Sequence, residues 1–145
     1  METYSEDASI IYHQDNAREM QSLESEKATS AIEMSLKKLG NITYSINSFK
    51  EINDNLIGGY NLDKIVIKCD ELKEAIKNNL EIYKDQGDDL QDVIGNFEGK
   101  MYSLSRMNES RRNEEIFRKN LQKSIKKFSD YLDEKIEQAK KSTLH

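Results

Sequence analysis

Residues 62–104 read LDKIVIKCDELKEAIKNNLEIYKDQGDDLQDVIGNFEGKMYSL, and their apolar side chains recur at alternating steps of about three and four residues. The series consists of Leu62, Ile65, Cys69, Leu72, Ile76, Leu80, Tyr83, Leu90, Ile94, Phe97, Met101 and Leu104. Such steps place side chains on one face of an α-helix, and Gly87 fills the one position of the series that is not apolar. The pattern predicts a helix over about residues 62–105 with a coiled-coil-like apolar stripe along its length. Gly95 and Gly99 lie within this helix and predict a local kink or a close helix contact.

The segment upstream has the same kind of spacing. From Ile32 to Leu56 the apolar residues again follow steps of three and four, which predicts a helix over about residues 8–56. Between the two helices we expect a turn at residues 57–61. Glycine adopts the positive φ angles that end a helix, and Asn caps the start of the next one, so the turn residues are Leu56, Gly58, Gly59 and Asn61.

A third helix is predicted downstream, over about residues 109–141. Its apolar positions are Ile116, Phe117, Leu121, Ile125, Phe128, Leu132, Ile136 and Ala139. Asn108 or Ser110 is placed to cap its start.

The whole chain of 145 residues is predicted to be all-α, because it contains no proline and its apolar spacing is helical throughout. We expect one domain over residues 1–145, a long antiparallel helical hairpin with a third C-terminal helix, coiled-coil or bundle-like. A helix over residues 62–105 would be about 65 Å long. Its apolar stripe must be covered, either by the third helix folding back or by helices of a second chain.

Charge is distributed unevenly along the chain. The net charge is −5, yet residues 106–141 contain 11 Lys or Arg against 7 Asp or Glu. We interpret this part as a solvated basic helix face, with docking on an acidic surface as the alternative. Nucleic-acid binding is disfavoured, because the chain is acidic and Glu109, Glu114 and Glu115 interrupt the basic run.

Targeting signals in the sequence favour a cytoplasmic protein. No apolar run reaches the roughly 18–20 residues of a membrane span, and the first residues, METYSEDASII, are acidic where a signal peptide is basic. We therefore expect neither a membrane span nor a signal peptide, with export alongside a partner as the alternative to a purely cytoplasmic location.

Residues suited to catalysis or metal binding do not form a recognisable site. His13 and His145 lie at opposite ends of the chain without a second His or Cys at ligand spacing. The stretch DQGDD at residues 85–89 lacks the alternating ligands of a calcium loop, so we interpret it as a solvated acidic patch. Cys69 lies in the apolar stripe without a nearby base. The sequence predicts no cofactor, no metal and no enzymatic activity.

The residues around the predicted turn carry a resemblance to a known family. Leu56-Ile57-Gly58 is formally an L-x-G, where the WXG proteins of type VII secretion have Trp-x-Gly. The stretch YNLDKIVIKCDELKEAIKNNLEIYKDQGDDLQDVIGNFEGKM that follows is similar to the second helix of the small partner proteins encoded beside LXG effectors. The resemblance covers about residues 30–105 and implies a helical hairpin that binds a secreted effector.

The chain departs from that family in one respect that bears on its function. No Tyr or Phe has Asp or Glu four positions on, so the family's aromatic-x-x-x-acid export signal is absent. The resemblance therefore implies a chaperone or targeting partner whose export signal comes from another subunit.

The expected function is that of a non-enzymatic helical binding protein. In the first hypothesis it pairs with the helical N-terminal region of a type VII secretion effector; in the alternative it is a structural or tethering coiled-coil subunit that self-assembles or joins a helical complex. The partner is thus a protein with amphipathic helices or a second copy of the chain. The predicted interface consists of Leu72, Ile76, Leu80, Tyr83, Leu90, Ile94, Phe97, Met101 and Leu104.

Overall fold

The computed structural model describes residues 29–49, 62–112 and 114–143. Nearly all of these residues are helical and none of them forms a strand, so the all-α prediction is confirmed for this part of the chain. The predicted turn at residues 57–61 lies outside the described residues, as do residues 8–28 and 50–56 of the predicted helix over residues 8–56.

Four long helices and two short ones make up the described structure. They are α1 (29–49), α2 (Leu62–Asn78), α3 (Leu80–Tyr83) with a 3₁₀ turn after it (Lys84–Gln86), α4 (Gly87–Arg106), α5 (Glu109–Arg112) and α6 (Glu115–Thr143).

The prediction of one helix over residues 62–105 is wrong, because the helix ends at Asn78. Asn79 adopts the non-helical angles φ −140° and ψ 49°, and its side-chain amide donates a hydrogen bond to the Ala75 carbonyl over 2.9 Å. Asparagine side chains compete in this way with the helical hydrogen bonds of the backbone. Two consecutive asparagines therefore end α2 where the apolar spacing alone predicts its continuation.

Beyond this break the chain reverses its direction. Lys73 of α2 lies beside Gly40, and Gly95 of α4 lies beside Lys38. In a straight helix, residues 73 and 95 would be about 33 Å apart. Both residues nevertheless lie beside the same part of α1, Lys73 at Gly40 and Gly95 at Lys38. Helices α2 and α4 therefore run in opposite directions.

The last long helix, α6, folds back on α2 and α4. Lys68 of α2 forms an ion pair with Asp133 at 2.9 Å, and the ring of Phe97 in α4 stacks on that of Phe128 with 4.0 Å between centroids. Of the two alternatives for covering the apolar stripe, the structure thus has the intramolecular one.

The four long helices pack in the order α1, α2, α6, α4 around the bundle. Asn41 donates a hydrogen bond to Glu98 over 3.0 Å, which joins α4 to α1 and closes the ring. Helices α1 and α4 run in one direction, and α2 and α6 run in the other. The α1–α2 side and the α4–α6 side consequently lie on opposite sides of the bundle.

One apolar core runs through the bundle and takes residues from all four long helices. Helix α4 passes through Gly95 and Gly99 without interruption, and Lys38 of α1 lies beside Gly95. The predicted third helix, over about residues 109–141, is divided into α5 and α6. Asn108 caps α5, because its side-chain oxygen accepts a hydrogen bond from the Arg111 amide over 2.9 Å.

Candidate partner interface

The predicted interface residues lie almost entirely in the bundle's own core. Eight of the nine are buried, with exposed fractions of 3% or less: Leu72, Ile76, Tyr83, Leu90, Ile94, Phe97, Met101 and Leu104. Their apolar surface is already covered by α1 and α6. In the folded chain these eight side chains are therefore closed to a partner.

Leu80 is the exception among the predicted interface residues. It is 54% exposed. It directly follows the break at Asn79, so its side chain no longer lies on the buried face of α2. The predicted turn residues, Leu56, Gly58, Gly59 and Asn61, lie outside the described part of the chain.

Leu80 lines an open groove on the α1–α2 side of the bundle. The groove has a volume of about 420 Å³, and its apolar lining comes from Ile32 and Leu36 of α1 together with Leu80. Charged side chains of both signs surround this lining: Glu33, Lys77, Glu81 and Lys84. We call this surface the α1–α2 groove. An apolar floor with a charged rim fits the two faces of an amphipathic helix.

A polar network lies behind the reversal of the chain and joins it to α6. The Tyr83 hydroxyl donates a hydrogen bond to the Lys135 carbonyl over 2.6 Å, and the Lys135 ammonium donates to Gln86 over 2.7 Å. The Tyr131 hydroxyl donates to Asp89 over 2.8 Å, and the same carboxylate lies 3.8 Å from the Lys135 ammonium. The sequence gives no signal for this network, since its members on α6 are more than 40 positions from those before it.

Burial in this network raises the pKa of both tyrosines. Desolvation is the main cause for Tyr83 and for Tyr131, and the hydrogen bond to Asp89 raises the pKa of Tyr131 further. Both phenols therefore stay protonated as hydrogen-bond donors. Their arrangement holds α3 and α4 against α6.

The remaining candidate groups have surroundings that suit structural roles. Cys69 is fully buried, and desolvation raises the pKa of its thiol to about 12, which suppresses the reactive thiolate. Asp85, Asp88 and Asp89 are exposed, and the last two lie in the first turn of α4, where a carboxylate is favourable to the helix dipole. Within the described ranges, no group of His, Cys, Asp or Glu side chains is arranged to hold a metal ion.

No helix of the described residues is long and apolar enough to cross a membrane. No protein-family model matches the chain, and no curated protein or solved structure is significantly similar to it.

Proposed function

We propose that this chain is a non-enzymatic helical binding protein, a chaperone or targeting partner that pairs with the helical N-terminal region of a type VII secretion effector. The proposal rests on the resemblance around residues 56–58 and on the α1–α2 groove.

The exposure of Leu80 is the observation that carries the proposal. A leucine with 54% of its surface in water leaves apolar area unburied at the end of a well-packed bundle. Leu36 is half-buried beside it, and Ile32 is 4% exposed at the bottom of the groove. An apolar side chain of a partner that enters here would cover Leu80 and Leu36 together.

The chemistry of the groove indicates what kind of segment fits. Apolar positions three and four residues apart on a partner helix would face Leu36 and Leu80, and its flanking charges would meet Glu33, Lys77 and Lys84. Because the core is closed, the partner binds on the outside of the folded bundle and α6 stays in place.

The test is a single substitution with a matched control. Leu80→Asp places a charge in the α1–α2 groove, whereas Ile67→Asp places one at a similarly exposed leucine-sized residue of α2, 57% exposed, that is not among the groove residues. The binding partner is the helical N-terminal region of the protein encoded by the neighbouring reading frame, co-expressed and purified with each variant.

We expect a stable complex with the wild-type chain and with Ile67→Asp, and an affinity at least about tenfold lower with Leu80→Asp. Circular dichroism and melting temperature check that both variants remain folded. Absence of a wild-type complex, or equal loss in the two variants, contradicts the proposal.

A further inference from the structure

The solvent-facing side of α6 has its charges separated into two halves. Residues 116–129 contain five basic residues and no acidic one: Arg118, Lys119, Lys123, Lys126 and Lys127. The next eight residues, 130–137, contain four acidic ones: Asp130, Asp133, Glu134 and Glu137. The one lysine among those eight, Lys135, is buried.

Several of these charges are unused within the bundle. Among the described residues, the structure shows no ion pair for Lys123, Lys127, Asp130 or Glu134. All four are exposed. They are available to an external surface whose charges run in the opposite order.

A groove between α4 and α6 lies beside these charges. It has a volume of about 400 Å³ and is lined by Val93, Phe97, Phe128 and Tyr131 between the two helices. Lys100 and Lys127 flank one end of the groove, and Asp130 and Glu134 flank the other. Lys100 is held at its end by a hydrogen bond of 3.0 Å to Ser124.

The charge order of α6 is complementary to itself in the antiparallel direction. Positions 123 and 134 have the same midpoint along the helix as positions 127 and 130. A two-fold axis at that midpoint therefore places each Lys123 opposite Glu134 of the second copy, and each Lys127 opposite Asp130 of the second copy. A two-fold interface requires this kind of self-complementary surface.

We propose that the α4–α6 side of the bundle binds a second copy of this chain, with the two α6 helices antiparallel. The favoured occupant is a second copy because both halves of the charge pattern are then satisfied. A nucleic acid would meet the basic half but be repelled by Asp130 and Glu134. This dimer goes beyond the proposed function, and it leaves the α1–α2 groove on the opposite side uncovered.

Exposed ion pairs contribute little individually and are screened by salt. The dimer is accordingly reversible, and it weakens as ionic strength rises. This salt dependence separates it from association through apolar surface, which salt does not weaken.

Two complementary variants test the proposal by sedimentation velocity over a concentration series. Lys123→Glu with Lys127→Glu makes both halves acidic, and Asp130→Lys with Glu134→Lys makes both halves basic. Each variant alone should raise the dimer dissociation constant at least about tenfold, because facing charges then repel. Their equimolar mixture should form a heterodimer, since an acidic α6 then faces a basic one.

Matched controls carry the same charge changes elsewhere on exposed positions. Lys37→Glu with Lys64→Glu, and Asp70→Lys with Glu71→Lys, should dimerise as the wild-type chain does. A wild-type chain that is monomeric at low salt overturns the proposal, as does a dimer that both α6 variants leave unchanged. A mixture that stays monomeric overturns the antiparallel arrangement. None of these variants alters the α1–α2 groove, so the result is independent of effector binding.

Discussion

Lys135 shows how a single charged residue is accommodated in the core of this bundle. It is 8% exposed, yet its ammonium donates to Gln86, lies near Asp89 and is 5.3 Å from the centroid of the Tyr131 ring. A buried ammonium is tolerated when hydrogen bonds replace its lost water. These contacts hold the segment in which the chain reverses its direction against Tyr131 and Lys135 of α6.

Because of Tyr83, the free energy of unfolding depends on pH in the alkaline range. In an unfolded chain a tyrosine ionises near pH 10.0, and burial raises the pKa of Tyr83 in the folded state. The folded state therefore retains the phenol proton to higher pH than the unfolded state does. Its contribution to stability is complete below about pH 10 and is lost as the pH rises through the folded pKa.

We expect Tyr83→Phe to reduce the free energy of unfolding by about 1 kcal/mol at neutral pH, through loss of the hydrogen bond to Lys135. Its melting temperature should then fall less steeply than that of the wild type above about pH 10. Thermal denaturation at a series of pH values measures both effects. Parallel curves for the two proteins would show that Tyr83 does not titrate differently in the folded state.

At the scale of the helices, α4 carries two glycines in its interior. Among the described residues beyond its own turn of helix, a Cβ added at Gly99 would meet no atom within 4 Å, whereas one at Gly95 would lie 2.8 Å from the Lys38 ammonium. Within the described part of the chain, no neighbouring group therefore requires position 99 to be glycine. Gly95 leaves room for the flexible end of Lys38.

Gly99→Ala should stabilise the protein by about 0.5–1 kcal/mol, because alanine loses less backbone entropy on forming a helix. The melting temperature should rise by about 2–4 °C. Gly95→Ala is the comparison, and its gain should be smaller because Lys38 must move. A decrease in melting temperature for Gly99→Ala would mean that α4 needs the glycine.

The helices also show how far the sequence predicts this fold. The steps of three and four residues identify most of the buried side chains. Leu80 is the exposed member of the series from Leu62 to Leu104, and Ile116 of the predicted third helix is also exposed, at 76%. The same steps cannot show that the helix breaks at Asn79 or that the chain reverses beyond it, because the apolar spacing continues on both sides of the break. The consecutive asparagines Asn78 and Asn79 were the available signal. The α1–α2 groove could not be predicted, since it depends on that reversal.

At the scale of the whole molecule, apolar packing by α6 holds the bundle together more than its ion pairs do. Leu132 is fully buried in the core, whereas its neighbour Asp133 is exposed and pairs with Lys68 at 2.9 Å. Removing a buried leucine side chain loses burial and leaves a cavity. An exposed ion pair contributes much less.

We expect Leu132→Ala to lower the free energy of unfolding by about 3 kcal/mol. Asp133→Ala, one residue along the same helix, should lower it by less than about 1 kcal/mol. Urea denaturation at neutral pH measures both values. Equal effects would indicate that α6 is held mainly by its charges.

The contact between Lys68 and Asp133 joins residues 65 positions apart, although both lie in helices. Helical bundles fold fast when their contacts are local, and distant contacts slow folding because a long loop must close first. During synthesis α2 and α4 emerge from the ribosome before α6 does. Their apolar faces are then exposed to water until α6 covers them. The nascent chain is therefore prone to aggregation until α6 has emerged.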